Sequence, residues 1–328
     1  MLDQKLIDRI DRSLDFQESD RVPICDFLDN RKVFNYFTHH KNEITLSDKV
    51  KAYHNFGIDV CWRFEKRQKP REPGMIGILK KLTSRQDKFA ALTPEEIAQE
   101  FEEFKEQQKL FMPHTYLAMS AEGCLSLAYR SLGFENFCEK MYTDAMDVEK
   151  LIDILADNLY VRANEFSRQQ LGRIFFITDD IAYKKGLIFS PSFLRKQWLP
   201  RIKNAISPLK KNNIKVILHS DGNLKAIIDD LIDIGIDGIH PVDSEAGMDI
   251  GVLKKTYHKT LLLFGNVVLY GLDAEGISEQ TKKCIKQASF SGGHFIGSSA
   301  GIDKNISLKN VLSFYTSIKE YGKYPLQI

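Results

Sequence analysis

Short apolar runs alternate with longer stretches of helical periodicity through the second half of the chain. Arg173 to Thr178 (RIFFIT) is apolar and ends in Asp179-Asp180. Ser190-Pro191 then opens an amphipathic stretch to about Asn213, with Ser as N-cap and Pro in the first turn. Lys215 to Leu218 ends in His219-Ser220-Asp221-Gly222, and a helical stretch from Asn223 to Ile234 stops at Gly235, a C-cap signal. Gly238-Ile239 runs into His240-Pro241-Val242-Asp243, and residues 249 to 257 carry a helical pattern. Leu261 to Phe264 ends in Gly265-Asn266, and residues 278 to 289 read as helix. His294 to Ile296 ends in Gly297-Ser298-Ser299, and a last helix covers residues 307 to 321. Continuous apolar strands alternating with helices predict a parallel sheet covered on both faces.

The first half supplies three more strands, Val22 to Phe27, Val60 to Phe64 and Tyr116 to Met119. Eight strands close a barrel. The predicted fold is therefore α/β, a (β/α)8 TIM barrel with extra N-terminal helices, in one domain over residues 1–328. Residues 1–20 carry apolar positions every three or four residues and read as an amphipathic helix rather than a signal peptide. Residues 65–95 do not resolve into a strand–helix unit and read as an insertion or lid. Their charged start, EKRQKPREP (65–73), reads as a solvated loop or a docking segment. An open doubly wound sheet is the alternative, but no G-x-G-x-x-G follows any strand.

Composition narrows the class. At 43% hydrophobic, the chain can bury a sizeable core. Lys and Arg number 46 against 44 Asp and Glu, so the formal charge is +2. Such a balance lends no support to nucleic-acid binding, which relies on concentrated positive charge. The five cysteines are scattered without a C-x-x-C pair, which fits reduced thiols in a cytoplasmic protein. No apolar run approaches the roughly 18–20 residues that span a bilayer.

Active sites of these barrels sit at the C-terminal ends of the strands. The polar residues there are Asp26, Glu122, Asp179 and Asp180, His219 and Asp221, His240 with Asp243 and Glu245, Asn266, and Ser298 with Ser299. Their recurrence across most strands points to an enzyme. Residues i and i+2 of a strand share a side, so His219 and Asp221 can converge on one ion or substrate. Imidazole and carboxylate at that spacing suit Zn²⁺, with Asp243 as a third ligand; a metal-free His–Asp hydrogen bond is the plainer reading. Asp179 and Asp180 would hold a cationic or hydroxylated substrate or cap the next segment. Residues 181–186 (IAYKKG), with Tyr183, read as a mobile lid or an ordinary exposed loop. His240, ahead of Pro241, reads as a substrate contact or a satisfied, partly buried histidine. The Gly/Ser-rich run 291–301 suits a phosphate, or close strand–helix packing.

The segments DDIAYKKG, FSPSFLRKQWLPRIK, VILHSDGN, DLIDIGIDGIHPVDSEAGMD, LFGN and GGHFIGSS together resemble the uroporphyrinogen decarboxylase superfamily. They are more closely similar to its branch of corrinoid-dependent methyltransferases. The resemblance covers about residues 170 to 320; DRVPICDF and LGFENFCEKMYTD fit it more loosely. It implies a barrel whose pocket lies at the strand C-termini. Many members of that branch hold Zn²⁺ through a His-x-Cys pair, often an acidic residue, and a late Cys. Here the His falls on His219, the first Cys position on Asp221, the acid on Asp243 and the late Cys near Ala300. Both thiolates are absent, so the implied site is all oxygen and nitrogen, harder and weaker for Zn²⁺. That departure argues against transfer to a zinc-bound thiol.

The resemblance, with this departure, implies a methyltransferase that moves methyl from a small O- or N-methylated donor to a separate corrinoid-binding protein carrying Co(I). In that reading His219, Asp221 and Asp180 are catalytic. Glu122, Asp179, Tyr183, His240, Asn266 and Ser298 surround the donor, and His219, Asp221 and Asp243 are the zinc ligands. True decarboxylases of the family carry an Arg-rich segment after the first strand that grips substrate carboxylates. Here CDFLDNRK offers only Arg31. The rivals are a decarboxylase or lyase acting on a smaller carboxylated molecule, and a barrel that binds a ligand without turning it over. Oligomeric state is left open, a homodimer being one option.

Overall fold

The computed structural model describes residues 1–38, 43–65, 91–299 and 301–327. Most of the expected insertion or lid, including the charged run beyond Glu65, lies outside these residues, as does Ala300.

The apolar runs become short parallel strands: β1 Cys25–Asp26, β2 Val60–Cys61, β3 Tyr116–Leu117, β4 Met119–Glu122 and β5 Ile174–Thr178. After a hairpin (β6 Ala182–Tyr183, β7 Gly186–Leu187) come β8 Lys215–His219, β9 Gly238–His240, β10 Leu262–Phe264 and β11 His294–Phe295. Parallel pairing runs β1-β2-β3 and β4-β5-β8-β9-β10-β11, with β3 and β4 parted only by Ala118. The ring closes where Ile24 bridges Ile296 in parallel. There the Cys25 N–H donates to the Ile296 carbonyl at 2.8 Å and the Ile296 N–H to that of Pro23 at 2.9 Å. The molecule is a TIM barrel, and the helices between its strands form the outer ring.

Alternation along each strand sorts side chains into two cores. Cys25, Val60, Trp62, Tyr116, Ala118, Ile174, Phe176, Ile217, Leu262, Phe264 and Phe295 fill the barrel. Leu6, Ile10 and Leu14, one face of the N-terminal helix Gln4–Leu14, join them from below and plug the bottom. Arg9 of that helix and Arg21 both bind the buried Asp59 carboxylate, at 2.6 and 2.7 Å, pinning the plug to the base of β2. The opposite parity (Cys61, Leu117, Phe175, Val216, Leu218, Ile239, Leu263) packs against the helices.

The stretch opened by Ser190-Pro191 is helical but interrupted. Pro191–Phe193 leads into a π-turn, Leu194–Trp198, before Leu199–Lys211 resumes. Pro200 has no N–H to donate at this point, which favours the wider turn. The IAYKKG segment is a hairpin tied down on both sides. Ile188 N–H donates to the Ile181 carbonyl at 2.9 Å and Asn223 N–H to the Tyr183 carbonyl at 3.0 Å. Gly222 makes this contact feasible: its φ is +90°, and a Cβ there would lie 2.5 Å from the Tyr183 nitrogen. Among the described residues no helix is long and apolar enough to cross a membrane.

Candidate active site

Register brings the site together. Thr178 of β5, His219 of β8 and His240 of β9 lie side by side at the C-terminal ends of neighbouring strands. Each closes its strand with the parity that faces the barrel axis, above Phe176 and Ile217. The two imidazoles meet Nδ1 to Nδ1 at 2.7 Å. Trp62 is stacked on His219 with ring centroids 5.0 Å apart and lies 4.7 Å from His240. Phe176, Phe264 and Phe295 continue the aromatic layer below. Trp62 is 5% exposed and its Nε1–H has no partner among the described residues.

Above this floor opens a cavity of about 640 Å³, lined among others by Phe27, Trp62, Arg63, Ser120, Glu122, Asp180 and His219. A smaller lobe of about 240 Å³ shares Phe27, Asp29, Trp62, Arg63 and His219, and adds Asp221. Lys49 is paired with Glu65 at 2.7 Å and Arg130 with Glu122 at 2.9 Å. The Arg63 guanidinium lies over Phe27, 5.3 Å from its centroid.

Three side chains converge at the edge of this space. One ligand atom each from Asp180, His219 and Asp221 lies within 4.8 Å of the others. Asp180 is further tied to the loop, since the Asp221 N–H donates to its Oδ1 at 3.2 Å. Burial holds the His219 imidazole down to about 4, Arg63 pushing the same way and Asp180 opposing. Burial, then the Asp180 and Asp243 charges, push the Asp221 carboxyl up to about 6. His240 is held well below the usual imidazole value by burial and by His219. Two acids beside a neutral imidazole repel each other, and a cation among them would relieve that repulsion. One nitrogen and two carboxylate donors with open positions are a set that Zn²⁺ accepts.

A sequence model of uroporphyrinogen decarboxylase (URO-D) matches residues 79–321. The chain belongs to the uroporphyrinogen decarboxylase family. Among solved structures, a methyltransferase from Methanosarcina mazei superposes with a TM-score of 0.71 at 19% identity, covering 96% of this chain and 98% of that one. A B12-independent methionine synthase from Shewanella sp. W3-18-1 gives a TM-score of 0.43 at 14% identity over 72% of this chain and 66% of its own. No curated protein matches the chain in sequence.

Within this family barrel the residues expected at the rim divide into two groups. His219, Asp221, Asp180 and Glu122 face the two lobes. The others are placed differently. Asp243 stands outside the three-residue cluster: its Oδ1 accepts from the N–H groups of Glu245 and Ala246, capping a short turn. The place expected for it beside His219 and Asp221 is taken by Asp180, one strand earlier. Asp179 is 0% exposed and turned outward, its carboxyl taken up by Leu125, Ser126 and Trp198 rather than facing the cavity. Asn266 is buried, donating to the Val242 carbonyl at 2.6 Å. Ser298 is buried and donates through Oγ to Asp26 at 2.7 Å, so it holds β1 rather than a ligand. Tyr183 is exposed on the hairpin. His240 is buried and reaches the site through His219 and Trp62. Trp62, Arg63 and Phe27 were not anticipated, although the parity of β1 and β2 would have placed Phe27 and Trp62 inside.

Proposed function

We propose that this chain is a methyltransferase that takes a methyl group from a small O- or N-methylated donor, with a separate corrinoid protein as acceptor. The observation that carries the reading is the Asp180–His219–Asp221 cluster at the rim of a cavity large enough for a small organic molecule. Methyl transfer breaks a carbon–heteroatom bond, and the heteroatom departs with the electron pair. An alkoxide or amine leaves poorly unless that charge is neutralised. Without a metal, Asp221, raised to about 6, can give a proton to the departing atom; once it ligates a cation it is ionised, and that charge-neutralising role passes to the cation. Asp180 holds the loop that carries Asp221. Trp62 and Phe27 wall the donor's apolar part and keep water from its methyl carbon.

His219, Asp221 and Asp180 would hold a divalent metal, which supplies Lewis-acid polarisation of the heteroatom when bound. The corrinoid, carried by the partner, supplies the nucleophile. The absence of thiolate donors supports an oxygen or nitrogen leaving group rather than an activated thiol as acceptor. Cys25, Cys61, Cys124 and Cys284 are buried, burial pushes their thiols up, and no cysteine lines the cavity.

The test is a screen of methyl ethers, methanol and methylated amines with a Co(I) corrinoid protein, following the corrinoid spectrum. Methylation from at least one donor, lost in His219→Ala, is expected. Carbon dioxide release from a carboxylated compound with no corrinoid protein present would assign the barrel to decarboxylation instead.

Metal uptake should depend on pH in a defined direction. A ligating carboxylate must be ionised, so protons compete below the value of Asp221, about 6. His219, held to about 4, is already neutral there and adds no competition. Affinity should therefore fall about tenfold between pH 7 and pH 5, in line with a single group titrating near 6. In Asp221→Asn that pH dependence should vanish, as a chelator-competition titration can show.

A further inference from the structure

The two histidines that end β8 and β9 are in register, and their Nδ1 atoms are 2.7 Å apart. At that distance one nitrogen must donate and the other accept. Two N–H groups would clash, and two lone pairs would repel. The tautomers of His219 and His240 are therefore locked to each other. His240 is 1% exposed, stands edge-on to Phe176 and is flanked by Trp62, so its ring is held in place without touching the cavity.

We propose that His240 is a positioning residue that decides what His219 presents to Asp180 and Asp221. The inference rests on the reading of that cluster as a cation site. Since Nδ1 of His219 is engaged, its Nε2 is the nitrogen left for the cluster. When His240 Nδ1–H donates to His219, the His219 proton sits on Nε2 and can serve a carboxylate of the empty site. When His219 Nδ1–H donates to His240, Nε2 carries a lone pair for a cation, and the His240 proton sits on its own Nε2. Both rings stay neutral in both arrangements. Loading the site moves the shared proton across the 2.7 Å contact, passes the His219 Nε2 proton to solvent, and returns one to His240 Nε2. Outer partners of this kind fix ligand orientation and raise ligand basicity.

The experiment compares the full-length protein with His240→Phe, which fills the space without an acceptor, and His240→Asn, whose amide oxygen can occupy the Nδ1 position. Zn²⁺ affinity is read by competition with a chromogenic chelator, and the tautomer of His219 from ¹⁵N spectra of histidine-labelled protein. In His240→Phe, affinity should drop by about 10–100-fold. His240→Asn should restore most of it. On adding Zn²⁺ to the unaltered protein, the His219 nitrogens should switch to the Nδ1–H form. Unchanged affinity in His240→Phe, with wild-type binding intact, overturns the role of His240. If the unaltered protein takes up no Zn²⁺, the cation reading fails instead. The metal-free spectra then decide the pair: a downfield N–H proton shared by two histidines and lost in His240→Phe keeps the locked tautomers, and its absence removes them.

Discussion

In His219→Ala, affinity for a divalent cation should fall about a thousandfold, and methyl transfer should drop to background. The reasoning starts from the size of the cluster. Structural Zn²⁺ sites of zinc-finger peptides bind at neutral pH with apparent energies of ~10–16 kcal/mol, and an oxygen–nitrogen set without thiolates belongs at or below the low end of that range. One donor of three carries about a third of ~10–12 kcal/mol, ~3–4 kcal/mol, and each 1.4 kcal/mol is tenfold, so the loss approaches a thousandfold. His219 is also the sole nitrogen of the set, so its loss leaves two carboxylates that repel each other. Chelator competition gives the affinity and the corrinoid assay gives the rate. Because His219 stands on Trp62 at a cavity wall, the alanine variant should remain folded. An affinity within a few fold of the original would remove His219 from the site.

Asp179→Ala should lower the stability of the barrel by about 3–4 kcal/mol while leaving the chemistry of the site in place. Asp179 faces away from the cavity into the N-terminus of the helix Cys124–Leu132. Its carboxyl accepts from Leu125 N–H at 3.2 Å, Ser126 N–H at 2.6 Å and the Trp198 indole N–H at 2.7 Å. Gly123 lets the helix come this close, since a Cβ there would lie 2.1 Å from Asp179 Oδ2. The helix dipole favours the charge, and burial raises its protonation. Alanine would orphan those buried donors at roughly 1–3 kcal/mol each, offset in part by the relief of a buried carboxyl. Urea unfolding with an unchanged slope measures the loss. A loss below ~1 kcal/mol, coupled with weakened donor binding, would make Asp179 a binding residue after all.

The barrel was legible because its signals are local. Runs such as RIFFIT and KVILH alternate with capped amphipathic helices, and Ser307 and Asp273 cap their helices as such residues do. The first half was harder to read, since β1, β2 and β3 are two residues long and give little periodicity. The site was half legible. His219 and Asp221 share a strand side, so their convergence follows from spacing. The third member required knowing that β5 lies beside β8 and that Asp180, not Asp179, turns inward. Asp243 carried a turn signal that pointed the other way: an Asp followed by Ser-Glu-Ala-Gly caps its own turn. The His219–His240 contact depends on a register between separate strands, which no single stretch of sequence displays.

X-ray absorption at the zinc edge of the metal-loaded protein probes the cluster most directly. The expected first shell holds only nitrogen and oxygen at about 2.0–2.2 Å, changed by His219→Ala and by Asp180→Ala. A sulfur shell at about 2.3 Å, or a spectrum indifferent to both substitutions, would place the metal elsewhere and leave the rim of the barrel without its proposed centre.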